Sequence, residues 1–414
     1  MSKIETVLTD IHSARLHPLV PQELSCNLLK KGMAKALAVK SGTTSSLGVY
    51  AIAKKVDIKF SLFGMQASDT RQRYMALWNH GYDLESDIRG LVENGKFISY
   101  DIAFPMYEQL ARHHTNPEGS NLHDRMDLYR LHAEQHIRQL YEQVNEKPDN
   151  IIHVTSTGYI DPNPVSTVMS AKQWHDIDIT NFYHHACNAP IPAIRMANTI
   201  LTAALSGNCE KPKKRIDLVS SEMFSLHTRL DNDSPVNVGL ISTYSDSFFR
   251  YSVRTYADVL EKGTGGLKIL AFKNITIPDS AALAVWKVSS PCFDFQIDAM
   301  KYFRLINTHV SDFVDSFFTE NGLDFESIKD RTYFVIQGSS QTTLKQIAEK
   351  LNLSEMQIDA SRMTLYENGY LSSGVIPFMC KSIIENNSIP SGTKVFCLGY
   401  ALGVTMSGML LEKV

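Results

Sequence analysis

A chain of 414 residues holds two or three ordinary domains, or one large internally duplicated unit. Its 43% apolar and 21% charged residues are ordinary soluble usage, and the formal charge of −3 argues against nucleic acid as the main partner. The N-terminal MSKIETVLTDIHSARLHPLV lacks a signal-type apolar region, and no window nears eighteen uninterrupted apolar residues, so no membrane segment is expected.

Residues 1–150 read as mostly helical. GTTSSLG (42–48) reads as a turn, since it lacks the GK[ST] of a phosphate-binding loop. MDLYRLHAEQHIRQLYEQV (126–144) spaces Leu128, Leu131, His132, Gln135, Ile137 and Leu140 by threes and fours, predicting a helix buried on that face. Strand-like segments follow at 151–157, 179–186, 215–222, 236–244, 267–273, 332–338 and 394–400. Helical patterns lie between them at 191–205, 299–322, 341–353 and 371–387. The alternation predicts α/β layering, with near-continuous apolar strands covered by helices on both faces. The basic run KPKKR (211–215) reads as a solvated loop. EKGTGG (261–266) reads as a break, permitting two halves at 1–262 and 263–414.

Six cysteines (26, 187, 209, 292, 380, 397) are scattered with no CxxC pair, which fits neither a disulfide framework nor a zinc site and suits a reducing cytoplasm. Cys187 in HHACNAPIPA lies where a strand runs into a helix, with Pro190 and Pro192 in the first helical turn. A thiol there faces unpaired backbone N–H groups and the positive end of the helix dipole, which predicts a favoured thiolate and an oxyanion site. A buried packing cysteine is the alternative.

Several stretches, in order across residues 69–414, resemble the thiolase-fold condensing enzymes, closest to type III polyketide synthases and ketoacyl-carrier-protein synthase III. They are SDTRQRYM (68–75), IIHVTSTGYI, NFYHHACNAPIPAIRMA (181–197), RIDLVSSE, ITIPDSAA (275–282), GYLSSGVIPFM and FCLGYALGVTMSGMLL. The resemblance implies a five-layer αβαβα fold of two pseudo-repeated halves, a homodimer, no metal and no permanently bound cofactor. It places the nucleophile at Cys187, with Glu222 ending the following strand and Gly403 in the supporting GYALG turn. Acyl-CoA or a phosphopantetheine-linked acyl thioester on a carrier protein would be the donor, met by Arg71 and Arg73.

The departures from the family pattern are specific. The family's histidine in AHPGG corresponds to Gln337, and its asparagine in GNMSS to Tyr370. Both replacements can donate hydrogen bonds, but neither titrates near neutrality as a proton shuttle does. Tyr244 takes the place of a phenylalanine at the entry to the site, and Asn368 is a possible substitute amide. His185 shares strand parity with Cys187 and is a candidate base. His184, His227 and His309 are further candidates, while His153 and His132 read as packing residues. The expected function is acyl transfer through Cys187 to an amine, alcohol or activated carbon, in a fatty-acid or polyketide-like secondary pathway. A decarboxylative Claisen condensation with a non-standard catalytic set, or a degenerate partner subunit, are the alternatives.

Overall fold

The computed structural model describes residues 5–78, 92–93, 96–97, 104–206 and 212–414; Cys209 and Lys211 of KPKKR lie outside them. Nine strands form one sheet: β1 (Thr6–Ser13), β2 (Asn150–Thr155), β3 (Asp178–Tyr183), β4 (Arg215–Glu222), β5 (Ser247–Thr255), β6 (Leu267–Thr276), β7 (Thr332–Ile336), β8 (Lys394–Ala401) and β9 (Thr405–Lys413). Their spatial order is β7-β8-β9-β6-β1-β5-β4-β2-β3.

The order contains a repeat. β1 is antiparallel to β5, β5 is antiparallel to β4, and β4, β2 and β3 run parallel. Likewise β6 is antiparallel to β9, β9 is antiparallel to β8, and β8 is parallel to β7. The two series meet where Val7 pairs Lys268 and Leu8 pairs Leu267. Glycine is required beside this seam, because a Cβ on Gly266 would lie 2.4 Å from Cγ1 of Val7.

The helices around this sheet include α1 (Leu122–Tyr141), α2 (Pro190–Leu205), α3 (Pro235–Thr243), α4 (Ala299–Glu320), α5 (Glu355–Asn368) and α6 (Val375–Glu385). α2 and α6 touch strands of both series and so form the middle layer. α1 packs on β5 and α4 on β9, closing the outer layers. The expected αβαβα architecture is therefore present. α2 suits its central place because Ile191, Ala193, Ile194, Ala197 and Leu201 are all buried, with small residues allowing close approach.

Several local expectations change. Residues 236–244 form α3 and not a strand, because Pro235 opens the helix and the Ser234 hydroxyl accepts from Asn237 N. Thr6–Ser13, inside the supposed helical N-terminal region, is the strand joining the two series. β5 is buried along its whole length yet carries Arg250 and Arg254, which obscure its apolar character in the sequence. Arg254 is held there by Asp10, Asp258 and Glu146. α1 is rotated from the expected face: Leu131 and Gln135 are exposed, while Tyr129 and His136 point inward. Polar partners explain the rotation, since the Tyr129 hydroxyl meets Ser221 Oγ at 2.7 Å and His136 Nε2 meets the Tyr74 hydroxyl at 2.7 Å. Ser45 caps the helix Ser46–Phe63 by accepting from Gly48 N, so GTTSSLG leads into a helix.

Candidate active site

The parallel strands β2, β3, β4, β7 and β8 all run toward the loops that carry the candidate residues. β3 stops at Tyr183, and His184 (φ 60°) and Ala186 (φ 51°) then take left-handed backbone angles. Such non-glycine conformations cost about 1–3 kcal/mol each and persist only where neighbours fix them. Here Ala186 N donates to Ser156 Oγ at 2.9 Å, and Ser156 N donates to Glu222 Oε2 at 3.0 Å. The chain continues through a 3₁₀ turn, Ala186–Asn188, and Pro190 opens α2. Cys187 is delivered ahead of the helix and is 8% exposed.

Three hydroxyls surround its sulfur. Ser372 Oγ donates to Sγ at 3.2 Å, the Tyr244 hydroxyl lies at 3.9 Å, and the Tyr370 hydroxyl also interacts with it. Burial pushes the Cys187 thiol up, and hydrogen bonds from Ser372 and Tyr370 only oppose this. The direction is opposite to the favoured thiolate expected at the helix start, because burial disfavours the charged form. Ser372, the residue missed by sequence reasoning, adjoins Tyr370 in the GYLSS stretch.

Gln337 is fully buried, and both its amide hydrogens are engaged. Nε2 donates to the Tyr370 hydroxyl oxygen at 2.8 Å and to the Tyr400 carbonyl at 2.7 Å. With two N–H bonds available and both in use, Gln337 is not a donor to substrate. It holds Tyr370 instead, whose ring lies 5.0 Å from that of Tyr244. Gly399 is needed beside this group, because a Cβ there would meet Asn188 Oδ1 at 2.4 Å.

Glu222 accepts from Ser156 N, Thr157 Oγ1 and Ser373 Oγ at 3.0, 3.1 and 3.0 Å. Burial raises its pKa to about 7 against the pull of these donors. Its contacts fix the turn that carries Cys187.

Other candidates fall outside this cluster. His185 stacks on Phe182 at 3.9 Å and is exposed, because the strand ends before it and the parity argument lapses. Asn368 accepts from Arg15 and donates to the Thr364 carbonyl, so its amide is held within α5. His227 donates from Nε2 to the Thr157 carbonyl and accepts from Phe293 N, and burial lowers its pKa to about 3. His309 sits along α4, and His153 bonds Tyr183 and Ser221. Arg71 pairs with Glu367 at the surface. Arg73 is fully buried and donates to the Ile241 and Tyr244 carbonyls and to Ser25 Oγ, each at 2.8 Å, so it braces the wall of the site and offers nothing to a phosphate. Gly403 (φ 61°) shapes the β8–β9 turn.

A cavity of about 480 Å³ is lined in part by Cys187. Its walls are largely apolar, including Phe63, Leu240, Phe295, Ile297, Tyr302 and Leu402, with Tyr244, Tyr370 and Tyr400 at the sulfur end. Among the described residues no histidine lines it. Lys55 and Lys59 flank Asp233 close to Pro235 of the same wall.

Residues 319–413 match the family model of 3-oxoacyl-[acyl-carrier-protein] synthase III, C-terminal part. Among solved structures, PKS-I from the brown alga Ectocarpus siliculosus superposes with a TM-score of 0.74 at 16% identity, covering 100% of both chains. The fold is that of the thiolase-like condensing enzymes. The type III polyketide synthase domain of Steely1 from Dictyostelium gives a TM-score of 0.71 at 16% identity, covering 99% of each chain. The thiolase-like fold is shared again with tetrahydroxynaphthalene synthase of Streptomyces coelicolor A3(2), at 0.69 and 15% identity, covering 98% of this chain and 99% of that one. CsyB complexed with CoA-SH gives 0.71 at 14% identity, covering 99% of this chain and 100% of that one. Curated sequences contain no match. Thus the resemblance expected for residues 69–414 extends over essentially the whole chain as fold. Among the described residues no helix is long and apolar enough to cross a membrane.

Proposed function

We propose that this protein is a cysteine-dependent acyltransferase. The observation that carries this reading is Cys187 in the wall of a largely apolar cavity, surrounded by hydroxyl groups. A donor thioester would lay its acyl chain along that cavity and present its carbonyl carbon to Sγ. Sulfur attack forms the acyl–Sγ bond, the donor's C–S bond breaks, and the proton of the Cys187 thiol ends on the departing donor sulfur. The Tyr370 hydroxyl accepts from Gln337, so its own hydrogen is available to the carbonyl oxygen as charge develops there.

A CoA thioester is the simplest donor, consistent with the CoA complex of CsyB, and a carrier-protein thioester presents the same arm. The reading includes halves at 1–262 and 263–414, a homodimer and a cytoplasmic setting.

Decarboxylative condensation is less well supported. Enolate formation from a malonyl thioester needs donors at the carbonyl, and Gln337 has no free N–H to give. The test is intact-protein mass spectrometry after mixing with a panel of acyl-CoA thioesters. An acyl mass on the wild type, absent from Cys187→Ala, is expected. No adduct from any thioester overturns the reading, and Cys187-dependent carbon dioxide release from malonyl-CoA shifts it to condensation.

A further inference from the structure

Three cavities lie in a row at the nucleophile. The donor cavity and a void of about 20 Å³ share Cys187, Tyr244 and Leu402 in their walls. That void and a second cavity of about 250 Å³ share Ser156, Ala186 and Trp286. Donor and second cavities have only Leu402 in common, so the second reaches the residue beside Cys187 without using the donor's path.

Its chemistry differs from that of the donor cavity. His184 lines it, and the ring has no hydrogen-bond partner among the described residues; its neighbours are the rings of Tyr159 and Phe293 at 5.8 and 6.0 Å. The residue is partly open to solvent, and the desolvation that remains lowers the His184 pKa, which leaves a neutral imidazole able to accept a proton. Trp286 is fixed as one wall by donating from Nε1 to the Ser156 carbonyl at 2.7 Å. Among the described residues no carboxylate, lysine or arginine lines the cavity.

We propose that this second cavity is the acceptor subsite, taking a small uncharged molecule with a primary hydroxyl or amine, and that His184 receives its proton. The proposal rests on the acyl-Cys187 reading. A charged acceptor would lose hydration with no counter-ion to replace it. Size follows from the volume, which falls below the about 300–1,000 Å³ typical of drug-sized ligand pockets. In the step itself the acceptor oxygen or nitrogen attacks the thioester carbonyl, and an ester or amide bond forms. The C–S bond breaks with its electron pair left on Sγ. The acceptor's proton passes to the His184 imidazole and then to solvent, and a solvent proton restores the Cys187 thiol.

The experiment is a two-stage single turnover. Enzyme is acylated with an acyl-CoA, freed of excess donor, and mixed with aniline as an uncharged aromatic amine or with benzyl alcohol as the hydroxyl probe. Loss of the acyl mass and appearance of anilide or ester are followed for wild type, His184→Gln and Ala281→Trp. The ratio of transfer to acylation is expected to fall about 100-fold in His184→Gln, the range of a lost general base. Transfer in Ala281→Trp, whose new side chain fills the cavity, is expected to lose saturation with aniline. Acylation itself reports that each variant is folded. Wild-type transfer ratios in both variants overturn the acceptor subsite alone, whereas failure of the wild type to acylate overturns the acyl-Cys187 reading and the subsite with it.

Discussion

Gln337 and Tyr370 are joined by a 2.8 Å hydrogen bond in which the amide Nε2 donates and the phenol oxygen accepts. The direction matters, because it leaves the phenol hydrogen pointing to another acceptor. The nearest candidates are the Cys187 sulfur and the carbonyl of any bound thioester. At the two positions where the resembled families carry histidine and asparagine, the side chains form one hydrogen-bond series from the Gln337 amide to the Tyr370 phenol.

Tyr370→Phe removes that donor and leaves a buried Gln337 N–H unpaired. Acylation of Cys187 is expected to slow about 100- to 1,000-fold, the loss found on deleting one oxyanion donor. Stability is expected to fall by about 1–3 kcal/mol from the orphaned amide. Stopped-flow acylation and denaturant titration of the same variant separate the two effects. Unchanged acylation would remove Tyr370 from the chemistry.

The double variant Gln337→His/Tyr370→Asn restores the residue types of the resembled family at both positions. Carbon dioxide release from malonyl-CoA is expected to appear in the double variant and to stay at background in each single one. The single variants lack either the proton-transferring imidazole or the second donor. Release of labelled carbon dioxide, scaled to Cys187 acylation, is the measurement. Equal release from wild type would mean that Tyr370 and Gln337 already support condensation.

Glu222 sets a pH dependence of stability. Its folded pKa of about 7 lies above the ordinary 4.5 because burial disfavours the carboxylate, so the fold binds more protons than the unfolded chain between these values. Its stabilising contribution is complete below about pH 4.5 and declines as pH rises through about 7. Buried His153 and His227 act oppositely: burial lowers both to about 3, so their contribution is present above pH 6.5 and declines as pH falls. The difference between wild type and Glu222→Gln isolates the carboxylate. The wild type is expected to lose up to about 3 kcal/mol relative to the variant from pH 5 to 8, since each tenfold difference in proton affinity is worth about 1.4 kcal/mol. Chemical denaturation across that range tests it, and a flat difference would place Glu222 in a better-solvated setting.

Arg73 and Arg71 are two residues apart and should differ sharply. Arg73→Met leaves the Ile241 and Tyr244 carbonyls without their donor, and a loss of about 2 kcal/mol or more is expected. Arg71→Ala breaks one surface ion pair with Glu367 and is expected to change stability by about 1 kcal/mol at most. Melting curves of both variants decide this. A neutral Arg73→Met would contradict its bracing role at the Tyr244 wall.

Periodicity and turn chemistry alone located the α/β layering, β4 from residue 215 to 222, and the start of α2 at its prolines. Those features are local: apolar runs declare buried strands, and proline declares a first helical turn. The order of motifs along the chain also pointed to Cys187 and to its altered neighbours Gln337 and Tyr370. What the sequence hid were segments whose polar groups are satisfied at a distance. β5 looked unlike a core strand because its arginines are neutralised by residues far away in the chain. α3 looked like a strand because β-branched residues outweighed the cap before it.

Side-chain direction at the site belonged to the tertiary structure alone. Identical residue types permit Gln337 to face substrate or Tyr370, and its direction is set by the Tyr370 hydroxyl and the Tyr400 carbonyl on β8, each of which takes one of its hydrogens. His185 lost its strand parity because Ser156 and Glu222, brought in by β2 and β4, hold the chain in a left-handed turn. Burial of Cys187 likewise depends on Tyr244, Tyr370 and Ser372, distant in the chain, closing around it, which is why its thiol is raised where local sequence predicted the opposite.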